Sequence, residues 1–235
     1  MPEFRLLVSG EGPTDLGDHW GGQLTPGPML EMARKILKET PAGECALDQV
    51  KLLKKKDLQQ ESEELRKENR RFFMQPRGPD DREMNFFRRN AQMLGHIASR
   101  EGFAVAILFR DADRTRSSRK DQWECKVESI ENGFRLAKYE RGVAMVPRPA
   151  SEAWLLALAQ PKGDVAKYED LPGNEESPNH PKKKLESEHG FAGRDQLVQL
   201  VEEKFVAGSV AMPSFERFAK RLMVAVEMWR AENNP

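Results

Sequence analysis

Short apolar runs and longer amphipathic stretches alternate along the chain. FRLLV (4–8) is apolar with one basic interruption and reads as a strand. From Pro28, PMLEMARKILKE places Met29, Met32, Ala33, Ile36 and Leu37 at helical spacing behind a proline at the first helical position, which predicts a helix. QVKLL (49–53) reads as a short strand. KKKDLQQESEELRKENRR (54–71) is almost wholly polar yet helix-prone: a solvated helix or projecting arm, with a nucleic-acid-contacting arm as the functional alternative. RGPDD (77–81) is a loop, and residues 83–100 carry Phe86, Phe87, Met93, Leu94, Ile97 and Ala98 as the apolar positions of a further helix.

The clearest strand is FAVAILF (103–109), apolar without alternation, as expected where a parallel sheet is covered on both faces. A helix around 121–138 and the strand GVAMV (142–146) complete a βαβ unit. The remainder reads as mainly helical: 151–159, a loop rich in Pro, Asn and Gly around 171–181, then 194–205 and 214–231. Phe215, Phe218, Leu222, Val226 and Trp229 fall on one face of the last helix and form a core stripe. The expected fold is α/β, an open, mainly parallel sheet flanked by helices. A core over 1–160 would carry a charged helical insertion at about 54–100, and a mostly helical extension, 161–235, would pack on it.

Composition narrows this little. The 235 residues include 38 Lys and Arg against 38 Asp and Glu, so the net charge is zero and any contact with nucleic acid must rest on local patches. No stretch approaches the roughly 18 apolar residues of a membrane span, and MPEFRLLVSG lacks the pattern of a secretory leader. Cys45 and Cys125 form no CxxC and are expected to be reduced thiols. A cytoplasmic protein without membrane contact is expected.

Acidic residues recur just past the strands. Glu11 follows the first, in G-E-G-P-T-D, with Asp15 four residues on; Asp111 and Asp113 follow the second, in F-R-D-A-D-R; Glu152 follows the third, in P-R-P-A-S-E-A-W. In an open α/β sheet, sites form outside the carboxyl ends of the strands. Carboxylates gathered there repel one another unless a cation compensates, and a hard divalent ion with oxygen ligands is the simplest such cation. Two such ions can stabilise the attacking and leaving oxygens of phosphodiester cleavage. Glycines flank Glu11 where the backbone must turn and leave room for metal and phosphate.

The ordered set EGxTD, DxD and P-x-x-E-x-W resembles a Toprim domain, closest to the stand-alone bacterial OLD-like and RloB-like Toprim nucleases. The resemblance covers roughly residues 4–186. It implies a metal set of Glu11, Asp15, Asp111, Asp113 and Glu152, holding one or two Mg²⁺ or Mn²⁺ ions. It gives Glu11 general acid/base work as well. A downstream catalytic lysine falls on the H-P-K-K-K-L stretch, at Lys182 in preference to Lys183. The implied activity is metal-dependent endonucleolytic cleavage of DNA or RNA, in an effector of bacterial antiviral defence. Ala150 stands where OLD nucleases carry a serine, with Ser151 adjacent. No G-x-x-x-x-G-K-[ST] occurs, so an ATPase partner would be a separate chain; a homo-oligomer is a further possibility.

Two other readings compete. FRDADRT fits the haloacid-dehalogenase phosphatase signature, with Asp111 as nucleophile, Asp113 as acid/base and Thr115 third, but VAMV runs into Pro147 where that family needs Ser or Thr. A non-catalytic regulatory or scaffold subunit is the other, against which the full carboxylate set argues. His19, His96, His180 and His189 have no metal-ligand spacing and read as surface or loop residues. Arg110, Arg114, Arg116, Arg119 and Lys120 surround the aspartates; Arg114, Arg116 and Arg119 are the candidates for phosphate-backbone contact.

Overall fold

A computed structural model of the chain describes residues 3–20, 22–40, 43, 45–68, 82–112, 122–161, 163–206 and 208–233. The first apolar run forms β1 (Leu6–Gly10), followed by the single turn α1 (Pro13–Leu16). An antiparallel ribbon comes next, β2 (Gly17–Trp20) with β3 (Gln23–Pro26), and then α2 (Pro28–Lys38). A 3₁₀ turn at Leu47–Gln49 leads into β4 (Val50–Lys54) and α3 (Lys55–Glu68). Then follow α4 (Arg82–Glu101), β5 (Val105–Phe109), α5 (Gln122–Leu136), β6 (Gly142–Met145) and α6 (Ser151–Ala159). A 3₁₀ helix, Val165–Asp170, precedes α7 (Pro181–His189), α8 (Arg194–Lys204) and α9 (Pro213–Asn233).

β4, β1, β5 and β6 lie in that order in one sheet, and every pairing is parallel. The two-residue period of a strand sorts their side chains onto two faces. Leu6, Val8, Val105, Ile107, Phe109, Val143 and Met145 enter one core, where Met32 of α2, Trp154 of α6, Leu200 of α8 and Phe218 of α9 meet them. Leu7, Ala106, Leu108 and Ala144 enter the other, against Leu58 of α3, Leu94 of α4 and Ile130 of α5. Both faces are therefore covered, which is why these strands are apolar throughout. Each fully buried Leu or Ile contributes about 1.5–3 kcal/mol.

The C-terminal helices share the sheet's own core. The Phe4 and Trp229 rings meet edge-on at 5.1 Å, and Trp154 stacks on Phe218 at 5.7 Å. Trp154 Nε1 donates to Ser214 Oγ at 2.8 Å, and the Ser214 amide donates to Glu169 Oε1 at 2.6 Å. These bonds fix the start of α9 against α6 and satisfy polar groups that burial would otherwise penalise.

The fold departs from the sequence expectation at three places. The ribbon at 17–26 and the helix at 181–189 were not foreseen. The polar stretch after residue 54 is not solvated all round, because Leu58 is fully buried on the second core. The expected loop at 77–81 and residues 69–71 lie outside the described residues. Among the described residues no helix is long and apolar enough to cross a membrane.

Candidate functional site

From β1 the chain crosses to β4 on one side and then to β5 on the other, so the strand order switches between β1 and β5. Such a switch opens a crevice at the carboxyl ends of the two strands. Glu11 follows β1 there, and Asp111 lies two residues past β5. The extended course continues beyond β5, since Arg110 N donates to Met145 O at 3.0 Å and Ala112 N to Pro147 O at 3.1 Å. Alternation continues with it. Asp111 shares the face of Ile107 and Phe109, whereas Arg110 shares that of Leu108 and Ala112.

On the first face the start of α6 gathers carboxylates around Ser151. The Ser151 amide donates to Asp111 Oδ1 at 2.8 Å, satisfying one of the amides that a helix start leaves without an intrahelical partner. The Ser151 hydroxyl donates to Asp15 Oδ1 at 2.6 Å and lies 3.4 Å from Glu152 Oε2. Glycines make room for Asp15. Gly12 has φ 77°, and a Cβ there would stand 2.8 Å from Asp15 Oδ2. Burial pushes the Asp15 carboxyl up to about 6; the Ser151 bond opposes this, the Glu152 charge adds to it and the Lys182 charge opposes it.

The α7 start borders this cluster. His180 is buried and caps the helix, its Nδ1 accepting from Lys182 N at 3.2 Å, which leaves Nε2 as the protonated nitrogen of the neutral ring. Burial holds its pKa below the ordinary value. That corrects the surface reading of His180; His19 is exposed, and His96 and His189 are half-buried. Among the three lysines, Lys183 donates to Glu176 O at 2.9 Å and Lys184 pairs with Glu188 at 2.8 Å. Lys182 is exposed, makes no side-chain hydrogen bond or ion pair among the described residues, and acts on Asp15 through its charge.

On the second face Glu11 stands among cations. Lys55 Nζ donates to Glu11 Oε1 at 2.5 Å, and Arg110 Nε lies 3.7 Å from the same oxygen. Lys126 Nζ donates to Ala112 O at 2.9 Å and lies 3.4 Å from Asp111 O. Partial burial alone would raise the Glu11 pKa, but the Lys55 bond and the Arg110, Lys55 and Lys126 charges outweigh it and hold the carboxyl below its ordinary value. Cys45 is buried and its thiol is pushed up to about 11, unsuited to nucleophilic work.

Asp15, Asp111 and Glu152 thus meet around one serine, while Glu11 keeps to the other face. Asp113, Arg114, Arg116 and Arg119 lie outside the described residues. Among the described residues, no three His, Cys, Asp or Glu side chains form a group that could hold a metal ion by themselves. The sequence reading gave no role to Ser151, Lys126 or His180, and it placed Lys55 only within a polar arm and Arg110 only within a basic run. Once the strand register is known, parity alone sends Arg110 and Asp111 to opposite faces. No family model, curated protein or solved structure matches the chain.

Proposed function

We propose that the chain is a divalent-metal-dependent phosphodiester hydrolase acting on DNA or RNA, a nuclease of Toprim type. The carrying observation is the gathering of Asp15 and Glu152 at the Ser151 hydroxyl and of Asp111 at the Ser151 amide, at the switch point of a parallel sheet. Three carboxylates so placed, one with its pKa raised to about 6, are costly without a compensating positive charge. Mg²⁺ suits the donor set. It is held by one or two carboxylates and fills its remaining positions with water and substrate phosphate, so a complete protein cage is not required. Asp111 and Asp15 would hold it, with Glu152 behind them and Asp113 as the further ligand that the resemblance implies. Such an ion, when bound, polarises a phosphoryl oxygen and acidifies a bound water.

The chain's own residues supply the rest. Glu11 is kept ionised by Lys55 and Arg110, the protonation state needed to accept a proton from an attacking water. Lys182 stands beside Asp15 with its charge available to a developing oxyanion. A role as effector of a bacterial defence system, with a separate ATPase chain and Arg114, Arg116 and Arg119 on the backbone of the nucleic acid, belongs to the same proposal and rests on the sequence motifs.

The test is incubation of the protein with single- and double-stranded DNA, RNA, tRNA and p-nitrophenyl phosphate in Mg²⁺ or Mn²⁺. Asp111→Asn and Glu11→Gln should each lower nucleic-acid cleavage by at least about 10²–10⁴-fold. Equal cleavage by wild type and Asp111→Asn on one substrate would refute the mechanism. Turnover of p-nitrophenyl phosphate alone would favour the phosphatase reading.

A further inference from the structure

Past the ends of β5 and β6 the parallel ladder runs out of donors. Ala106 N donates to Arg141 O, Arg110 N to Met145 O and Ala112 N to Pro147 O, all in the register of the two strands. The return bonds of such a ladder come from the other strand, here from the amides of residues 147 and 149 to the carbonyls of Arg110 and Ala112. Both positions are proline, which has no amide hydrogen. A buried carbonyl left unpaired is costly. At Ala112 a side chain takes the missing place, since Lys126 Nζ donates to Ala112 O at 2.9 Å. Lys126 is only 2% exposed, and lysine is seldom so buried unless its charge is matched. Its ammonium also lies 3.4 Å from Asp111 O and 5.1 Å from the centre of the Phe87 ring, whose face favours a cation. One turn earlier on α5, Trp123 Nε1 donates to Val146 O at 2.7 Å. The start of α5 therefore grips the ends of both strands, the one that leads into Asp111 and the one that leads towards Ser151.

We propose that Lys126 is a positioning residue for the acidic cluster: standing in for the amide that Pro149 lacks, it fixes the peptide after Asp111 and so holds the Asp111 carboxylate on the Ser151 amide. Lys126 touches no substrate and acts through Asp111. Its effect on a bound ion rests on the metal reading of the cluster, whereas its effect on the bond from Ser151 N to Asp111 Oδ1 does not. Charge and position also act in opposite directions here. Removing a cation near carboxylates, by charge alone, favours the binding of a metal ion. Releasing a ligand from its supporting contact weakens that binding.

Two measurements on the full chain test this. In EDTA, amide hydrogen exchange at Ser151 should quicken at least about tenfold in Lys126→Met, while amides in the middle of α9 keep their wild-type protection. Lys126→Arg keeps both the charge and a donor, and its Ser151 exchange should stay within about threefold of wild type. In Mg²⁺ titrations Lys126→Met should bind the ion at least about tenfold more weakly, against the direction that charge alone dictates, and Lys126→Arg should recover most of the loss. Should Lys126→Met fail to fold, Lys126→Gln, whose donor sits one bond short of the carbonyl, decides by the same exchange. Unchanged exchange at Ser151 overturns the assignment, and so does Mg²⁺ binding that tightens in Lys126→Met. Faster exchange in the variant together with no Mg²⁺ binding by wild type would keep the positioning role and remove the metal reading.

Discussion

Arg110 and Asp111 are neighbours in the chain, yet they belong to two differently built halves of one crevice. Asp111 joins Asp15 and Glu152 around Ser151, on its amide while they meet its hydroxyl, with the exposed Lys182 charge nearby. Arg110 joins Lys55 around a single carboxylate, with Lys126 close behind. The sheet edge separates an acidic half from a basic one. A protein of zero net charge can therefore hold an acidic cluster and a basic one on opposite faces of one sheet edge. Overall charge conceals this; local parity along an extended strand reveals it.

The largest expected effect separates these halves. Asp111→Asn should lose at least about 10²-fold in metal-dependent cleavage with its Mg²⁺ affinity, whereas Arg110→Met should keep the Mg²⁺ affinity and raise the Glu11 pKa, moving the acidic limb of the pH–rate profile upward. Equal losses of Mg²⁺ affinity in both variants would merge the halves into one site.

Next comes the pH dependence of the acidic half. Asp15 titrates near 6 in the fold against 3.8 ordinarily, so its contribution to stability is complete below about pH 3.8 and is lost as the pH rises through about 6. At pH 8 the buried charge costs on the order of 1–3 kcal/mol. Asp15→Asn should recover that amount in urea unfolding at pH 8 in EDTA and change little at pH 3.5. A variant less stable than wild type at pH 8 would remove the argument for carboxylate strain.

Gly10 joins the halves physically. A Cβ there would stand 2.5 Å from Leu16 Cδ1 and 2.8 Å from Phe109 Cβ, so Gly10→Ala must push α1 away from β5. Denaturant unfolding should show a loss of about 1–3 kcal/mol, the usual cost of overpacking.

The smallest effect belongs to Lys182. Its charge lowers the Asp15 pKa, and Lys182→Ala should move the pH midpoint of activity upward by less than about one unit, because an exposed charge acts through water. No movement would detach Lys182 from the acidic half.

Much of the scaffold was legible in the sequence because its strands are covered on both faces. VAILF and VAM needed no alternation to be recognised, and their ends marked where Asp111 and Glu152 would lie. α6 was legible because Ser151–Ala159 is apolar almost throughout. The ribbon at 17–26 was not, since its four-residue strands are held by a contact so close that a Cβ on Gly17 would stand 2.1 Å from Thr25 O. α7 was hidden because it starts on His180, an unusual capping residue, and buries little beyond Pro181 and Leu185. The division of the carboxylates was hidden too. All of them follow strand ends, but the face each one takes depends on a register that no run of residues displays.

The register of β1 also sets a timetable for synthesis. Its two neighbours are Val50–Lys54 and Val105–Phe109, so the central strand emerges first and meets its second partner about a hundred residues later. At ribosomal rates of about 5–20 residues per second, that is an interval of roughly 5–20 s. Through that interval Leu6, Leu7 and Val8 have one strand neighbour at most. A chaperone that binds the nascent chain should therefore find a target in Leu6–Val8, and should release it once Phe109 has cleared the exit tunnel.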